Sequence, residues 1–474
     1  MKRLYKNLIF MSLAITFLLL SSCSGSDYLN AIPKRSSALI SVDMKQMTAG
    51  KSDEDKAGML KTLLHVDDVD NCGIDVSEKL YLFETADGNL GLCAKVSDED
   101  AVSDWLATLA KKHIATEVTE RKGFHFSVLK DSWLVGFSGE ALLVMGPVVA
   151  DAQAQLQQQM VKYLKADEDD GITASPMFER LSGISSPMAM VAQAQALPEK
   201  FVAPFTLGAP KDTDPSQVVI AADMNVKEGI LQIQGETFSF NKSIDEAIQK
   251  AIQNYRPIKG DYVKSMPDDA LAGIFMNVKG EQFLPMMQSN RSLQTLLMGI
   301  NQAVDMDNIM RSVDGDMAIV MPTLGDANMK MMMAAKLAHD KWLGDVDYWK
   351  TSCPPGAKIA NWGKNAYFYT DGKTSFYFGV TDDKQFFSGS DELSAQYAVK
   401  PSNHPIDAKI QKLIVGEKLA MVINLAKSSN GDGSGKDDAI STVTGLLTPI
   451  FGNLTSVVYT LTVSYTHLTL PTIL

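Results

Sequence analysis

Five short stretches of this sequence recur in the same order further along the chain, at offsets between 231 and 243 residues. The clearest match aligns residues 31–43 (AIPKRSSALISVD) with residues 265–277 (SMPDDALAGIFMN), each a proline, a short polar step and an apolar strand. The other matches are residues 90–106 with 332–348, 133–144 with 376–387, 188–193 with 419–424, and 216–223 with 455–462. A repeat of this length restricts the fold strongly, because each copy has to form the same unit. The sequence therefore predicts two tandem duplicated units.

Inside each predicted unit, hairpin patterns alternate with helical ones. Residues 79–96 (KLYLFETADGNLGLCAKV) are two apolar runs around Asp87-Gly88, which is typical of a hairpin turn. Residues 367–387 give three strands, and residues 218–240 give another hairpin that turns at Lys227 to Gly229. Helical periodicity is found in residues 98–113, 149–165 and 175–184. The expected fold class is α+β, with an antiparallel sheet built of hairpins and helices packed on one face of each sheet.

Residues 329–338 (MKMMMAAKLA) carry two conflicting signals. Their composition favours a helix, because methionine, alanine and lysine are good helix formers. Their counterpart in the first unit is the second strand of the hairpin at residues 79–96. We therefore predict that the first part of this segment is a strand.

The predicted boundaries follow from the repeat and from the residues at both ends of the chain. They are a lipoprotein signal peptide (1–22), a tether (23–30), unit one (31–240), a connecting helix (241–259), unit two (260–464, predicted to be truncated), and a non-native tail (465–474). The connecting helix has Ser243 and Glu246 at capping-box spacing, and Pro257 ends it. The tail, YTHLTLPTIL, departs from the course of unit one and is expected to derive from translated adapter sequence.

The N-terminus has the layout of a bacterial secretory signal. Lys2, Arg3 and Lys6 precede an uncharged run from Leu8 to Leu20, which is shorter than the roughly 20 residues of a spanning helix. Leu20-Ser21-Ser22-Cys23 resembles a lipobox, in which a peptidase cuts before a cysteine whose sulfur carries the lipid. Cys23 is therefore the predicted lipidation site, and Ser24 after it is compatible with sorting to the outer membrane. An ordinary signal peptide with an incidental cysteine is the alternative.

The charge of the chain limits the classes of partner. The formal net charge is −12, and removal of Lys2, Arg3 and Lys6 with the signal would leave −15. Nucleic-acid binding needs a basic face, so it is not expected here. An acidic body is also not drawn to an anionic bilayer, so we expect the lipid anchor to provide membrane attachment.

Few residues have the type and spacing of a site. Cys72 and Cys93 are a candidate disulfide, since a hairpin could bring them together, with buried thiols as the alternative. Trp362, expected in a loop, is the best exposed candidate for ligand binding. The six histidines show no zinc-ligand spacing, and no nucleophile elbow or complete calcium loop is present. We therefore assign no catalytic residue, no metal ligand and no cofactor. Glycines aligned by the repeat, Gly136 and Gly379, are expected to serve packing.

Several of these segments together resemble a known family. The lipobox, residues 28–51 (YLNAIPKRSSALISVDMKQMTAGK), 73–83 (GIDVSEKLYLF), 258–278 (IKGDYVKSMPDDALAGIFMNV) and 312–322 (SVDGDMAIVMP) look like the Bacteroidota lipoproteins with domain of unknown function 4836. The resemblance extends from about Tyr28 to Tyr459. It implies an envelope lipoprotein of duplicated α+β units, and it brings no catalytic residues with it.

Three functions are compatible with this sequence. The first is a lipid-anchored, non-enzymatic binding or scaffold protein of the outer membrane, with a protein, peptide or glycan as partner. The second is a surface glycan-binding accessory protein that uses exposed aromatic side chains such as Trp362. The third is a hydrolase with a carboxylate site that no motif reveals.

Overall fold

A computed structural model of the chain describes residues 25–47, 72–197, 202, 205–290, 304–322, 330–373, 375–425 and 454–461. The chain divides into two compact units, Met1–Val191 and Ala192–Leu474. The names unit one and unit two hereafter refer to these observed units, whose bounds differ from the predicted ones. The described residues contain twenty strands and ten α-helices. None of these helices has the length and apolar character needed to cross a bilayer.

Unit one is built on an antiparallel sheet of hairpins. Its strands are β1 (Ala38–Val42), β2 (Leu80–Glu84), β3 (Leu90–Lys95), β4 (Thr119–Arg121), β5 (Phe124–Leu129), β6 (Trp133–Phe137), β7 (Ala141–Gly146) and β8 (Met188–Gln193). Pairing gives the spatial order β8-β1-β2-β3-β7-β6-β5-β4. The turn between β2 and β3 contains Gly88 at φ +79°, which confirms the predicted hairpin.

The helices of unit one are α1 (Met44–Met47), α2 (Glu99–Lys111), α3 (Ala150–Leu164) and α4 (Pro176–Ser182). The predicted helix at 98–113 begins where the Asp98 side chain accepts a hydrogen bond from the Ala101 N–H, at 3.1 Å. Helix α2 then buries Val102, Leu106 and Leu109, the residues that helical spacing places on one face.

Unit two is also mostly antiparallel. Its strands are β9 (Val219–Lys227), β10 (Ile230–Phe238), β11 (Tyr255–Arg256), β12 (Ala272–Lys279), β13 (Val313–Met321), β14 (Met332–Leu337), β15 (Lys358–Gly363), β16 (Ala366–Thr370), β17 (Ser375–Val380), β18 (Gln385–Gly389), β19 (Leu419–Asn424) and β20 (Ser456–Leu461). The spatial order is β9-β10-β20-β19-β12-β13-β14-β18-β17-β16-β15, with β11 beside the end of β12. Strands β10 and β20 pair in parallel, whereas the other pairs in this order are antiparallel.

The helices of unit two are α5 (Lys242–Ile252), α6 (Gly280–Ser289), α7 (Met306–Arg311), α8 (Val346–Thr351), α9 (Glu392–Tyr397) and α10 (Ala408–Ile414). The predicted connecting helix is α5, and its cap is Asn241, not Ser243. The Asn241 side chain accepts from the N–H groups of Ser243 and Ile244, at 3.0 and 3.4 Å. Its buried face packs beside Ala194, Ala209 and Val218.

A large apolar core lies along the strands of unit two. Its buried members include Phe275, Ala318, Val320, Met332, Ala334, Ile410, Ala420 and Val458. Residues Met332 to Leu337 form a strand, which confirms the assignment that the repeat favoured over helix propensity. The mixture of helices with mostly antiparallel sheet is the expected α+β class.

Candidate functional site

Four aromatic side chains from four neighbouring strands lie together in unit two. Trp362 of β15, Phe368 of β16, Tyr377 of β17 and Phe387 of β18 form what we call the aromatic cluster. The Trp362 ring stands edge-on to Tyr377 and Phe387, with centroids 5.0 and 6.2 Å away. Phe368 and Tyr377 are direct cross-strand partners with centroids 4.7 Å apart. All four side chains are half-buried, so part of each is accessible.

Strand alternation explains why these four rings share one face. Side chains two residues apart on a strand lie on the same face, and directly paired residues do too. The neighbouring aromatic residues therefore form the opposite face, where Phe378 and Phe386 are fully buried beside Trp342. Phe387 packs against the large core of unit two, so the aromatic cluster extends that core outward to β15.

Trp362 lies within strand β15, and the expectation of a loop was wrong. Residues 358–361 pair continuously with residues 367–370. The register shifts between Asn361 and Gly363, and β15 pairs with β16 alone among the described strands. Exposed polar groups lie close in sequence: Asn361, and Lys364, whose ammonium is 2.7 Å from the Asp382 carboxylate.

The cysteines Cys72 and Cys93 are both fully buried in unit one, and the described residues contain no disulfide between them. Burial in apolar surroundings raises the pKa of the Cys93 thiol, which donates to the Tyr28 carbonyl oxygen at 3.4 Å. Burial also raises the pKa of the neighbouring Tyr81 to about 12, with the charges of Cys93, Glu78 and Asp43 adding to the shift. In the structure, Cys72 and Cys93 are therefore buried free thiols, which was the alternative to the predicted disulfide.

The segment predicted as a tether belongs to the fold in its second half. Asp27–Ala31 is a 3₁₀-helix in which Tyr28 and Leu29 are buried. The Tyr28 hydroxyl donates to the Lys79 carbonyl oxygen at 2.9 Å. Tyr28 and Leu29 are large and apolar, and burying them in unit one stabilises this conformation. Cys23 itself lies outside the described residues, as do the signal peptide and the tail at 465–474.

Asp316 is a buried carboxylate that the sequence did not single out. Its oxygens accept hydrogen bonds from the backbone N–H groups of residues 259, 260 and 261, at 3.0, 2.6 and 2.9 Å. The Asn277 side-chain amide is a fourth donor, at 2.7 Å. These contacts join SVDGDMAIVMP to IKGDY, two of the motifs that carry the family resemblance. With four donors around it, Asp316 is placed to hold the loop at 259–261.

No group of three or more His, Cys, Asp or Glu side chains within the described ranges has a geometry that could hold a metal ion. The sequence pointed to Trp362 but not to its neighbours Tyr377 and Phe387, nor to Phe368 beside Tyr377. The signal available was the two runs of three consecutive aromatic residues in YFYTDGKTSFYF, whose register only strand pairing fixes.

Two solved structures show a distant similarity to this chain. Crystal form IV of TP0453 is 11% identical, with 42% of this chain and 76% of that chain covered and a TM-score of 0.26. Crystal form III of TP0453 is 9% identical, with 78% and 96% covered and a TM-score of 0.20. Scores this low carry no argument about fold or function.

A comparison with curated proteins found no match. The model of the family described as Domain of unknown function (DUF4836) matches residues 41–407, which is well over half of the chain. The matched range includes the motifs around Asp316 and the whole aromatic cluster. This chain belongs to the DUF4836 family.

Proposed function

We propose that this chain is a lipid-anchored protein of the cell envelope, attached to the outer membrane through Cys23, and that it is a non-enzymatic binding or scaffold protein. The observation that carries the proposal is the aromatic cluster, in which four half-buried rings meet on one face at the edge of a sheet. Aromatic side chains are enriched in protein interfaces because they bury a large area with few rotatable bonds.

The contact is proposed to be made by the side-chain face and not by strand addition to β15. An edge strand can accept another strand through its unpaired backbone groups. In β15 the register shift at Asn361–Gly363 and the exposed Lys358 at its start are features that protect edges from such pairing. A protein or peptide that covers Trp362, Phe368 and Tyr377 is therefore the proposed partner.

A glycan is the second candidate ligand. Sugar rings stack on aromatic faces, and their hydroxyls need polar groups beside the ring. The exposed Lys364–Asp382 ion pair begins two residues after Trp362 in the sequence. This combination of ring and polar groups favours a glycan over other small ligands.

We also infer that the two halves of the chain arose by duplication. What supports this is the strand order: β8-β1-β2-β3-β7-β6-β5-β4 in one half and β19-β12-β13-β14-β18-β17-β16-β15 in the other. The segments matched by sequence fall on corresponding strands, such as β1 with β12 and β3 with β14.

The binding proposal is tested by replacing Ala360 with a photo-crosslinking amino acid in living cells and identifying the adducts by mass spectrometry. Ala360 is exposed and pairs directly with Phe368, so it lies on the face of the aromatic cluster. We expect protein or peptide adducts, and a loss of most of them when Trp362→Ala is added. The matched control places the same crosslinker at Tyr348, an aromatic residue of unit two that is 71% exposed and lies outside the aromatic cluster.

Adducts at Ala360 no more abundant than at Tyr348 would contradict the protein-binding proposal. Purified protein retarded by a polysaccharide in an affinity gel, with the retardation lost in Trp362→Ala, would instead favour the glycan. Tyr348→Ala should leave either kind of binding unchanged.

A further inference from the structure

We propose that one end of unit one, where β2 begins and β3 ends, is a membrane-facing surface held against the lipid bilayer at a short, fixed distance. This inference rests on the lipid anchor at Cys23 that is part of the proposed function. It specifies which surface of the protein faces the lipid and what determines the distance between that surface and the bilayer.

The chain is fixed to unit one almost immediately after Cys23. Tyr28 is 3% exposed, Leu29 is 5% exposed and Ile32 is fully buried. The Tyr28 hydroxyl donates to the carbonyl of Lys79, the residue before β2, and the Cys93 thiol of β3 donates back to the Tyr28 carbonyl. The segment through which the chain leaves unit one toward Cys23, which we call the exit of the chain, is therefore attached to the start of β2 and to β3.

Only a short length of chain separates the lipidated Cys23 from unit one. From Cys23 to Asp27 there are four residue steps, and a fully extended chain spans at most about 3.6 Å per residue, which gives about 14 Å. The exit of the chain from unit one cannot lie further than this from the backbone of Cys23, and the lipidated sulfur is only two bonds beyond its Cα atom. Glu78 and Lys95 lie at this exit, since both side chains are close to Gly25.

The charged groups at this end of unit one are mostly acidic. Lys95 pairs with Asp75 and Glu78, at 3.4 and 3.7 Å, and Asp27 adds a further acidic group. The three carboxylates at this end, those of Asp27, Asp75 and Glu78, outnumber its two lysines, Lys79 and Lys95, so the surface is not drawn to anionic headgroups. The length of the chain, and not lipid charge, therefore sets the distance between this surface and the bilayer.

The experiment measures how strongly nitroxide groups on lipid headgroups quench a fluorophore attached to the lipidated full chain in vesicles. One label is placed at Ser77→Cys, beside the exit, and the other at Asp87→Cys, in the turn at the opposite end of the β2–β3 hairpin. Both positions are exposed. The background is Cys353→Ser, and Cys72 and Cys93 are fully buried and do not compete for label.

Strand β2 rises about 3.4 Å per residue and separates its two ends by about 14 Å, so we expect at least about twofold stronger quenching at Ser77 than at Asp87. The contrast should be the same in vesicles with and without anionic lipid. Inserting about 12 Gly/Ser residues after Ser24 adds about 19 Å of average reach and should remove the contrast while the protein stays on the vesicles.

Equal quenching at the two positions, or stronger quenching at Asp87, in protein that remains on the vesicles would overturn the membrane-facing surface and leave the anchor intact. A contrast that appears only with anionic lipid would overturn the chain-length account. Protein that does not associate with the vesicles at all would overturn the lipid anchor, and this proposal with it.

Discussion

At the residue scale, Asp316 illustrates how one buried charge can order a loop. A buried carboxylate is costly unless donors surround it, and here three backbone N–H groups and the Asn277 amide provide them. Hydrogen bonds to a charged acceptor are stronger than those between neutral groups. The loop at 259–261 therefore takes its conformation from a residue more than fifty positions away in sequence.

The change Asp316→Asn replaces one acceptor oxygen by an NH₂ group, which would face backbone donors. We expect a loss of about 2–4 kcal/mol in the free energy of unfolding, measured by denaturant titration. Asp314→Asn is the matched control on the same strand, because Asp314 is 40% exposed and pairs with Arg256 at 2.8 Å. This exposed pair should contribute less than about 1 kcal/mol. Equal losses for the two variants would refute the assigned role of Asp316.

The sequence could indicate Asp316 only indirectly. The motifs SVDGDMAIVMP and IKGDY were visible, but nothing in either shows that they meet. The two motifs meet only because strands β12 and β13 pair, and the register of that pairing places Asn277 opposite Asp316. Trp362 was singled out as a large aromatic residue among polar ones, and its role in ligand binding stays a prediction. The loop expected around it was wrong, because Trp362 lies in strand β15.

At the element scale, strands β16 to β18 depend on a close approach at Gly379. A Cβ atom there would come within 2.5 Å of the Asn365 carbonyl oxygen and 2.6 Å of the Phe387 ring. The first neighbour is backbone and cannot move freely. Gly379 pairs across the strands with Ala366 on one side and Phe387 on the other, so the missing side chain lets the aromatic cluster close over the sheet.

We expect Gly379→Ala to lower the free energy of unfolding by about 1–3 kcal/mol, because the added methyl group overpacks the site. Gly344→Ala is the matched control in unit two: a Cβ there has no atom within 4 Å. That variant should change stability by less than about 0.5 kcal/mol. Thermal unfolding of both variants, followed by circular dichroism, measures the difference. A Gly379→Ala protein as stable as Gly344→Ala would contradict the packing role.

Elements were predictable where local chemistry determines them. Turn residues such as Asp87-Gly88 determined the hairpins, and apolar spacing determined α2 and the existence of α5. The predicted end of α5 at Pro257 was wrong, because the helix ends at Ile252 and residues 255–256 form β11. The repeat identified β14 as a strand where helix propensity pointed the other way, because tertiary pairing with β13 and β18 overrides propensity. The parallel pairing of β10 with β20 was not predictable, since no local pattern encodes which distant strand covers an edge.

At the scale of the whole molecule, membership of the DUF4836 family and the α+β class are established, whereas the function is a proposal that depends on two separate features. One is the lipid anchor, argued from the order of basic residues, apolar run and cysteine at the N-terminus. The other is the aromatic cluster at β15–β18. The two can be tested independently because they lie in different units.

The lipid anchor is the central claim, and fractionation of cells that express Cys23→Ser tests it most directly. We predict that the wild-type protein sediments with the outer membrane and that Cys23→Ser is recovered in the soluble fraction. The soluble variant should keep the thermal unfolding temperature of the wild-type body, because Cys23 precedes Tyr28 and Leu29, the first buried side chains in the described part of the chain. A Cys23→Ser protein that stays in the membrane fraction at the wild-type level would contradict the account.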